Sequence, residues 1–154
     1  MILSVVGFTS LIVLFSGCSR DATTGFKKEP IYAQNMQYTQ VGKIIKNNEV
    51  VSLINVTYLN SVDSTKWDND KQNFLVGIYM PDENGVDTSL TMNTQSPVST
   101  KEIKKDDAIY QNIALRNNWA DYNIITFNDT EEKTVTLNYS YSNDNNTTIS
   151  FTKE

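Results

Sequence analysis

The chain has 154 residues, 39% of them hydrophobic, with 6 Gly, 3 Pro, 8 Tyr and 6 Phe. That is enough apolar and aromatic content for one compact domain and too much for a disordered chain. The formal charge is −5, and the nearest approach to a basic stretch, KEIKK at 101–105, is interrupted by Glu102 and followed by Asp106 and Asp107. This excludes nucleic acid as a partner. There is no His and a single Cys, which excludes an intramolecular disulfide, the usual zinc sites and His-dependent triads. No Gly-rich phosphate loop and no Gly-x-Ser-x-Gly elbow occurs. No cofactor, no metal and no enzymatic activity are therefore expected.

The first charged residue is Arg20. The apolar run from Val5 to Phe15 has the length of a signal-peptide core and falls short of the roughly 20 residues of a membrane-spanning helix. It ends in small residues, Ser16 and Gly17, directly before the lone Cys18. Leu14-Phe15-Ser16-Gly17-Cys18 resembles the lipobox of bacterial lipoproteins. The resemblance implies that residues 1–17 are a signal peptide and that Cys18 becomes the lipidated first residue of the mature chain. Two or three acyl chains anchor a domain stably, at about 0.8 kcal/mol per buried CH₂. Two departures from the family pattern are the missing Lys or Arg before the apolar run and Phe15 where Leu is commonest. An uncleaved membrane anchor, or a signal cleaved elsewhere, are the alternatives. Ser19 after the cysteine resembles lipoproteins sorted to the outer membrane.

Residues 18–35 (CSRDATTGFKKEPIYAQN) are polar and lack periodicity, which predicts a flexible tether. From residue 36 to 154 the pattern is β. Residues 49–60 (EVVSLINVTYLN) are rich in β-branched side chains on both faces, as in a central strand. Residues 73–80 (NFLVGIYM) place Phe74, Val76, Ile78 and Met80 on one side, and PDENG at 81–85 is a turn. Short strands are expected at 89–93, 122–128 and 147–153. Residues 134–141 (TVTLNYSY) alternate cleanly, with Val135, Leu137, Tyr139 and Tyr141 inward. SNDNN at 142–146 closes a terminal hairpin. Residues 101–118 fit either a helix, with Ile109 and Ile113 four apart and Asp106 as cap, or a strand over 108–116. The strand is adopted, because it completes an all-β antiparallel sandwich of about seven to eight strands.

Trp119-Ala120-Asp121-Tyr122 resembles the corner of immunoglobulin-like sandwiches, in which a Tyr at the start of a late strand bonds back to the backbone. With the lipobox, VVSLINVTYLN, NFLVGIYM and WADYNIITF, the chain resembles the small immunoglobulin-like lipoproteins of Campylobacter-type bacteria. The resemblance implies an immunoglobulin-like fold and an adhesion or envelope role, with no general activity to carry over.

Trp119 is expected to pack beneath the corner. Trp67, between Lys66 and Asp68, is expected at the surface and is the candidate ligand contact. Asp68-Asn69-Asp70 has the oxygen ligands of a calcium loop but lacks its Gly and distant Glu, so it reads as a solvated loop. Asp144-Asn145-Asn146-Thr147-Thr148 resembles the extended acceptor sequon of bacterial N-glycosylation, which makes Asn146 a candidate modification site. Asn55, Asn128, Asn138 and Asn145 match only the short form. The functional expectation is a lipid-anchored outer-membrane protein, on the periplasmic face or the cell surface. It would bind a protein or glycan without catalysis, or serve as an accessory subunit with a permanent protein partner.

Overall fold

A computed structural model describes residues 30–81, 86–142 and 145–153. These contain eight strands: β1 (Thr39–Lys46), β2 (Glu49–Tyr58), β3 (Lys71–Tyr79), β4 (Thr88–Met92), β5 (Ser99–Glu102), β6 (Asp121–Asn128), β7 (Thr134–Tyr141) and β8 (Asn145–Thr152). They form two antiparallel sheets, ordered β1-β2-β3-β6-β5 and β4-β7-β8. Counted from β2, the order is that of a constant-type immunoglobulin sandwich. The first, second, fifth and fourth strands share one sheet, and the third, sixth and seventh the other. β1 is an added strand, joined to β2 through Asn47 and Asn48, with Lys46 opposite Glu49. Both asparagines have positive φ, 52° and 65°, the backbone a tight hairpin of matching twist requires and Asn tolerates.

The sheets close on one core. From β2 come Ile54, Val56 and Tyr58, from β3 Phe74 and Val76, and from β7 Val135, Leu137, Tyr139 and Tyr141. The alternation of β7 is the one expected, all four inward residues being buried. Gly42 in β1 lets that strand approach β8: a Cβ there would lie 2.9 Å from both Ile54 Cγ2 and Thr147 Cγ2.

β3 is buried on both faces, so the outer face of the larger sheet also needs a cover. A second cluster of Leu59, Leu75, Ile103, Tyr110, Ile113 and Tyr122 supplies it. Here the expected strand over 108–116 is corrected. Ala108–Gln111 is a single helical turn within a run of turns, and its four-residue spacing turns Ile109, Tyr110 and Ile113 onto Leu75 and Tyr122. The strands that the sequence reading did not name are β1 and β5. Asp107 rather than Asp106 precedes the turn, and its carboxylate accepts from the Lys104 N–H at 2.8 Å.

The cover also includes α1 (Pro30–Gln37), α2 (Leu59–Val62) and α3 (Ser64–Trp67), the 108–111 turn being α4. α1 shifts the expected tether boundary, because residues 30–35 belong to the domain. Pro30 opens the helix where its missing N–H costs nothing, and buried Asn35 donates to the Asn112 carbonyl at 2.6 Å. The expected signal peptide, Cys18 and residues 82–85 of the expected turn lie outside the described residues.

Candidate binding surface

Tyr122 performs the bond expected of the corner tyrosine. Its hydroxyl accepts from the Asn117 N–H at 2.8 Å, and its buried ring meets Tyr110 edge-on with centroids 5.9 Å apart. Burial raises its pKa above the ordinary phenol value. The position departs from the immunoglobulin pattern, since Tyr122 begins the fifth strand of that order and not the sixth.

The latch holds a loop made of residues 112–120. Asn55, on β2, donates to the carbonyls of Ala114 and Leu115, both at 3.1 Å. Leu115 is held at φ 53°, a left-handed backbone uncommon for a bulky residue and found where the surroundings over-determine it. Asn117 Oδ1 accepts from the Trp119 N–H at 3.0 Å. The Arg116 guanidinium lies 4.9 Å from the Tyr110 ring centre and donates to the Tyr110 carbonyl. The loop is therefore braced by side chains, and while Ile113 and Ala114 are buried, two of its apolar residues are turned to solvent: Trp119 is 81% exposed and Leu115 49%. A shallow apolar crevice separates Leu115 from Leu53 and from Val41 on β1, itself 54% exposed.

This exchanges the expected roles of the two tryptophans. Trp119 does not pack beneath the corner, because the Tyr122 ring and Ala120 fill that space. Trp67 is not a free surface contact. It is half-buried against the outer cluster, its carbonyl accepts from Asn60 and Asn73, and the Lys66 ammonium lies 5.1 Å from its ring centre. The candidate contact is Trp119.

A second cleft, about 260 Å³ and polar, is lined by Tyr58, Asn60, Ser61, Ser64, Asp68, Gln72, Asp129 and Lys153. Four of its side chains are bonded to one another. Tyr58 donates to Gln72 Oε1, Gln72 Nε2 donates to the Asp129 carboxylate, and Lys153 Nζ donates to Asp129 at 3.0 Å and to the Thr130 carbonyl. Burial, then the negative charges of Asp129 and Asp68, push the Tyr58 phenol up to about 12. The Lys153 hydrogen bond, and then the Thr130 N–H, hold Asp129 below its ordinary value of 3.8. This chain of bonds ties the end of β2 to β3, to the segment after β6 and to the end of β8. It is a structural clasp.

Its pH dependence follows from the sign of the Asp129 shift. A carboxylate whose folded pKa is depressed adds stability above its unfolded value, and that stability is lost as the pH falls through the folded value. In urea denaturation, Asp129→Asn is expected to lower stability at about pH 7 and to converge on the parent protein at acid pH, once the pH has fallen through the depressed Asp129 value. An equal deficit at both pH values would show that the charge has no part in the clasp.

Asp68, Asn69 and Asp70 are exposed, with Asn69 Oδ1 accepting from Asn73 Nδ2 at 3.2 Å. No group of three or more His, Cys, Asp or Glu is placed to hold a metal among the described residues. Asn146 is exposed in β8 opposite Ser140, and the acidic Asp144 of its sequon lies outside the described residues. Asn55 is consumed by the loop, and Asn128 accepts from Lys71 Nζ at 2.7 Å. No helix of the described residues is long and apolar enough to cross a membrane. Compared with protein-family models, curated proteins and solved structures, the chain matches none.

Proposed function

We propose that the protein is a lipid-anchored component of the outer membrane, held through Cys18, that binds a protein or glycan without catalysis. The observation that carries the binding reading is the 81% exposure of Trp119 on a loop that five hydrogen bonds hold in place. A large exposed aromatic with its backbone already ordered contributes contact area at little entropic cost, the property of interface hot spots. The lipobox resemblance of Leu14 to Cys18 supports the anchor. The apolar crevice between Leu115 and Val41 supports a second reading, an accessory subunit whose permanent partner covers it.

Photo-cross-linking in cells from position 118, compared with position 111 on α4, tests the binding surface. A discrete adduct that is lost in Trp119→Ala is expected, and equal yields at the two positions would overturn the reading. Stoichiometric adducts with one protein, surviving purification, would decide for the permanent partner. Intact mass of the membrane-extracted chain beside Cys18→Ser tests the anchor. A start at Cys18 with added acylglycerol mass, absent from the variant, is expected.

A further inference from the structure

We propose that Phe26, in the segment preceding Pro30, docks into an apolar crevice of the helical cover and so shortens the tether between the domain and its anchor. The crevice opens between the four helical pieces. Ile31 of α1, Val62 of α2, Trp67 of α3 and Ile109 of α4 wall it, and Leu75 of β3 lies at its floor. It encloses about 260 Å³, less than the roughly 300–1,000 Å³ of small-molecule sites. A space of that size suits one large side chain better than a free ligand. It is a gap in the cover: Leu75 and Val62 are buried, but Trp67 and Ile109 are half-buried and Ile31 is 42% exposed. Its walls are held in place, since the Asn35 side chain ties α1 to the Asn112 carbonyl at the end of α4. Three large apolar side chains thus meet water around one opening, and an apolar occupant would remove that contact.

Three features of the chain select the occupant. The described fold begins at Pro30, and its neighbour Ile31 already lines the crevice, so the preceding residues join the fold at the edge of the opening. Phe26 stands five residues before Ile31, and five residues reach at most roughly 17 Å, enough to cross an opening one side chain wide. Next, in the stretch 19–29 (SRDATTGFKKE) Phe26 is the sole aromatic and the sole large apolar residue. It is therefore the one side chain of that stretch with a large gain from leaving water. Finally, Phe26 belongs to the same chain, which gives it an effective concentration in the mM range. A contact as small as one ring then suffices, whereas a separate molecule would have to offset its lost translational freedom with that same contact. With Phe26 seated, seven residues rather than eleven separate Cys18 from the docked chain, and the greatest reach falls from roughly 40 Å to roughly 28 Å. This consequence rests on the anchor reading above; the contact itself does not.

The test places a photo-reactive phenylalanine analogue at position 26 of the full chain and activates it in cells. Links within the same chain, to the peptides that hold Trp67 or Ile109, are expected. Links to another protein, or links spread over the chain without preference for those two peptides, would overturn the contact. A second measurement uses the purified full chain in lipid nanodiscs, with Trp119→Phe leaving Trp67 as the one tryptophan. The shielding of Trp67 from acrylamide should be lost in Phe26→Ser and kept in Phe26→Leu. Equal quenching in the parent and in Phe26→Ser would overturn the proposal. If the links to Trp67 or Ile109 form in a chain that carries no acylglycerol, the anchor reading fails and the contact stands. If an acylated chain shows no such links, the contact fails and the anchor stands.

Discussion

Replacing Phe74 by Ala is expected to destabilise the fold by about 3–5 kcal/mol. Phe74 is fully buried on β3, the middle strand of the larger sheet. Its ring stacks on Tyr58 at 5.1 Å, meets Phe127 edge-on at 5.9 Å and lies 6.0 Å from Phe151. Four aromatic rings from β2, β3, β6 and β8 thus share one contact point between the sheets. Truncation removes the transfer free energy of a phenyl ring and leaves a cavity that neighbouring rings, held by their own strands, do not collapse into. The loss is a large share of a domain stability of about 5–15 kcal/mol. With a urea slope of about 1–3 kcal/mol per M, the midpoint should fall by roughly 2 M at unchanged slope. Phe74→Leu, which keeps most of the volume, should cost about 1–2 kcal/mol. Midpoints of Phe74→Ala and Phe74→Leu that coincide would contradict the packing argument.

The second large effect is expected at Gly77, and it joins stability to the proposed binding surface. A Cβ built on Gly77 would stand 2.2 Å from Tyr122 Cε1, 2.7 Å from Cδ1 and 2.8 Å from Cζ. The Tyr122 ring lies flat over this glycine, directly opposite it in the β3–β6 register. It cannot retreat without cost, because its hydroxyl holds the Asn117 N–H and its edge meets Tyr110. Gly77→Ala should therefore cost about 1–3 kcal/mol in overpacking, with roughly 1 kcal/mol more if the hydroxyl is pulled from Asn117. Its distinguishing mark is local. Amide exchange at Asn117 and Trp119 should accelerate more than in Phe74→Ala at matched global stability, and the Trp119-dependent adduct should weaken. Tyr122→Phe keeps the ring and deletes only the latch, so it should loosen the same amides at about 1–2 kcal/mol. Exchange at Asn117 unaltered in both variants would show that the loop holds its shape without Tyr122.

What the chain carries locally is the inner core. The alternation of Val135, Leu137, Tyr139 and Tyr141, and the apolar side of Phe74 and Val76, specify which face of β7 and β3 turns inward, because side-chain direction in a strand has period two. The latch of Tyr122 was legible too, through WADY and its likeness to the immunoglobulin corner, although the structure places it one strand earlier. The absence of a long basic stretch, the lone Cys18 and the lack of His bound the function classes from composition alone.

Tertiary structure decided the rest, for one physical reason: the outer face of the larger sheet needs a cover that local sequence does not announce. β5 (STKE) has four exposed side chains; only main-chain pairing with β6 makes it a strand, and no side-chain pattern records that. Residues 108–111 coil because Tyr110 and Ile113 have Leu75 and Tyr122 to bury, a contact made across the fold. The fate of each tryptophan hangs on the same layer. Trp67 lies on α3, which the cover draws down onto Leu59 and Leu75, while Trp119 lies between the buried Ala114 and Tyr122 on the loop that the Asn55 and Asn117 bonds hold. A residue's burial belongs to the assembled layers, so the side chain that most strongly marks the proposed binding surface was the one whose exposure the sequence could not tell.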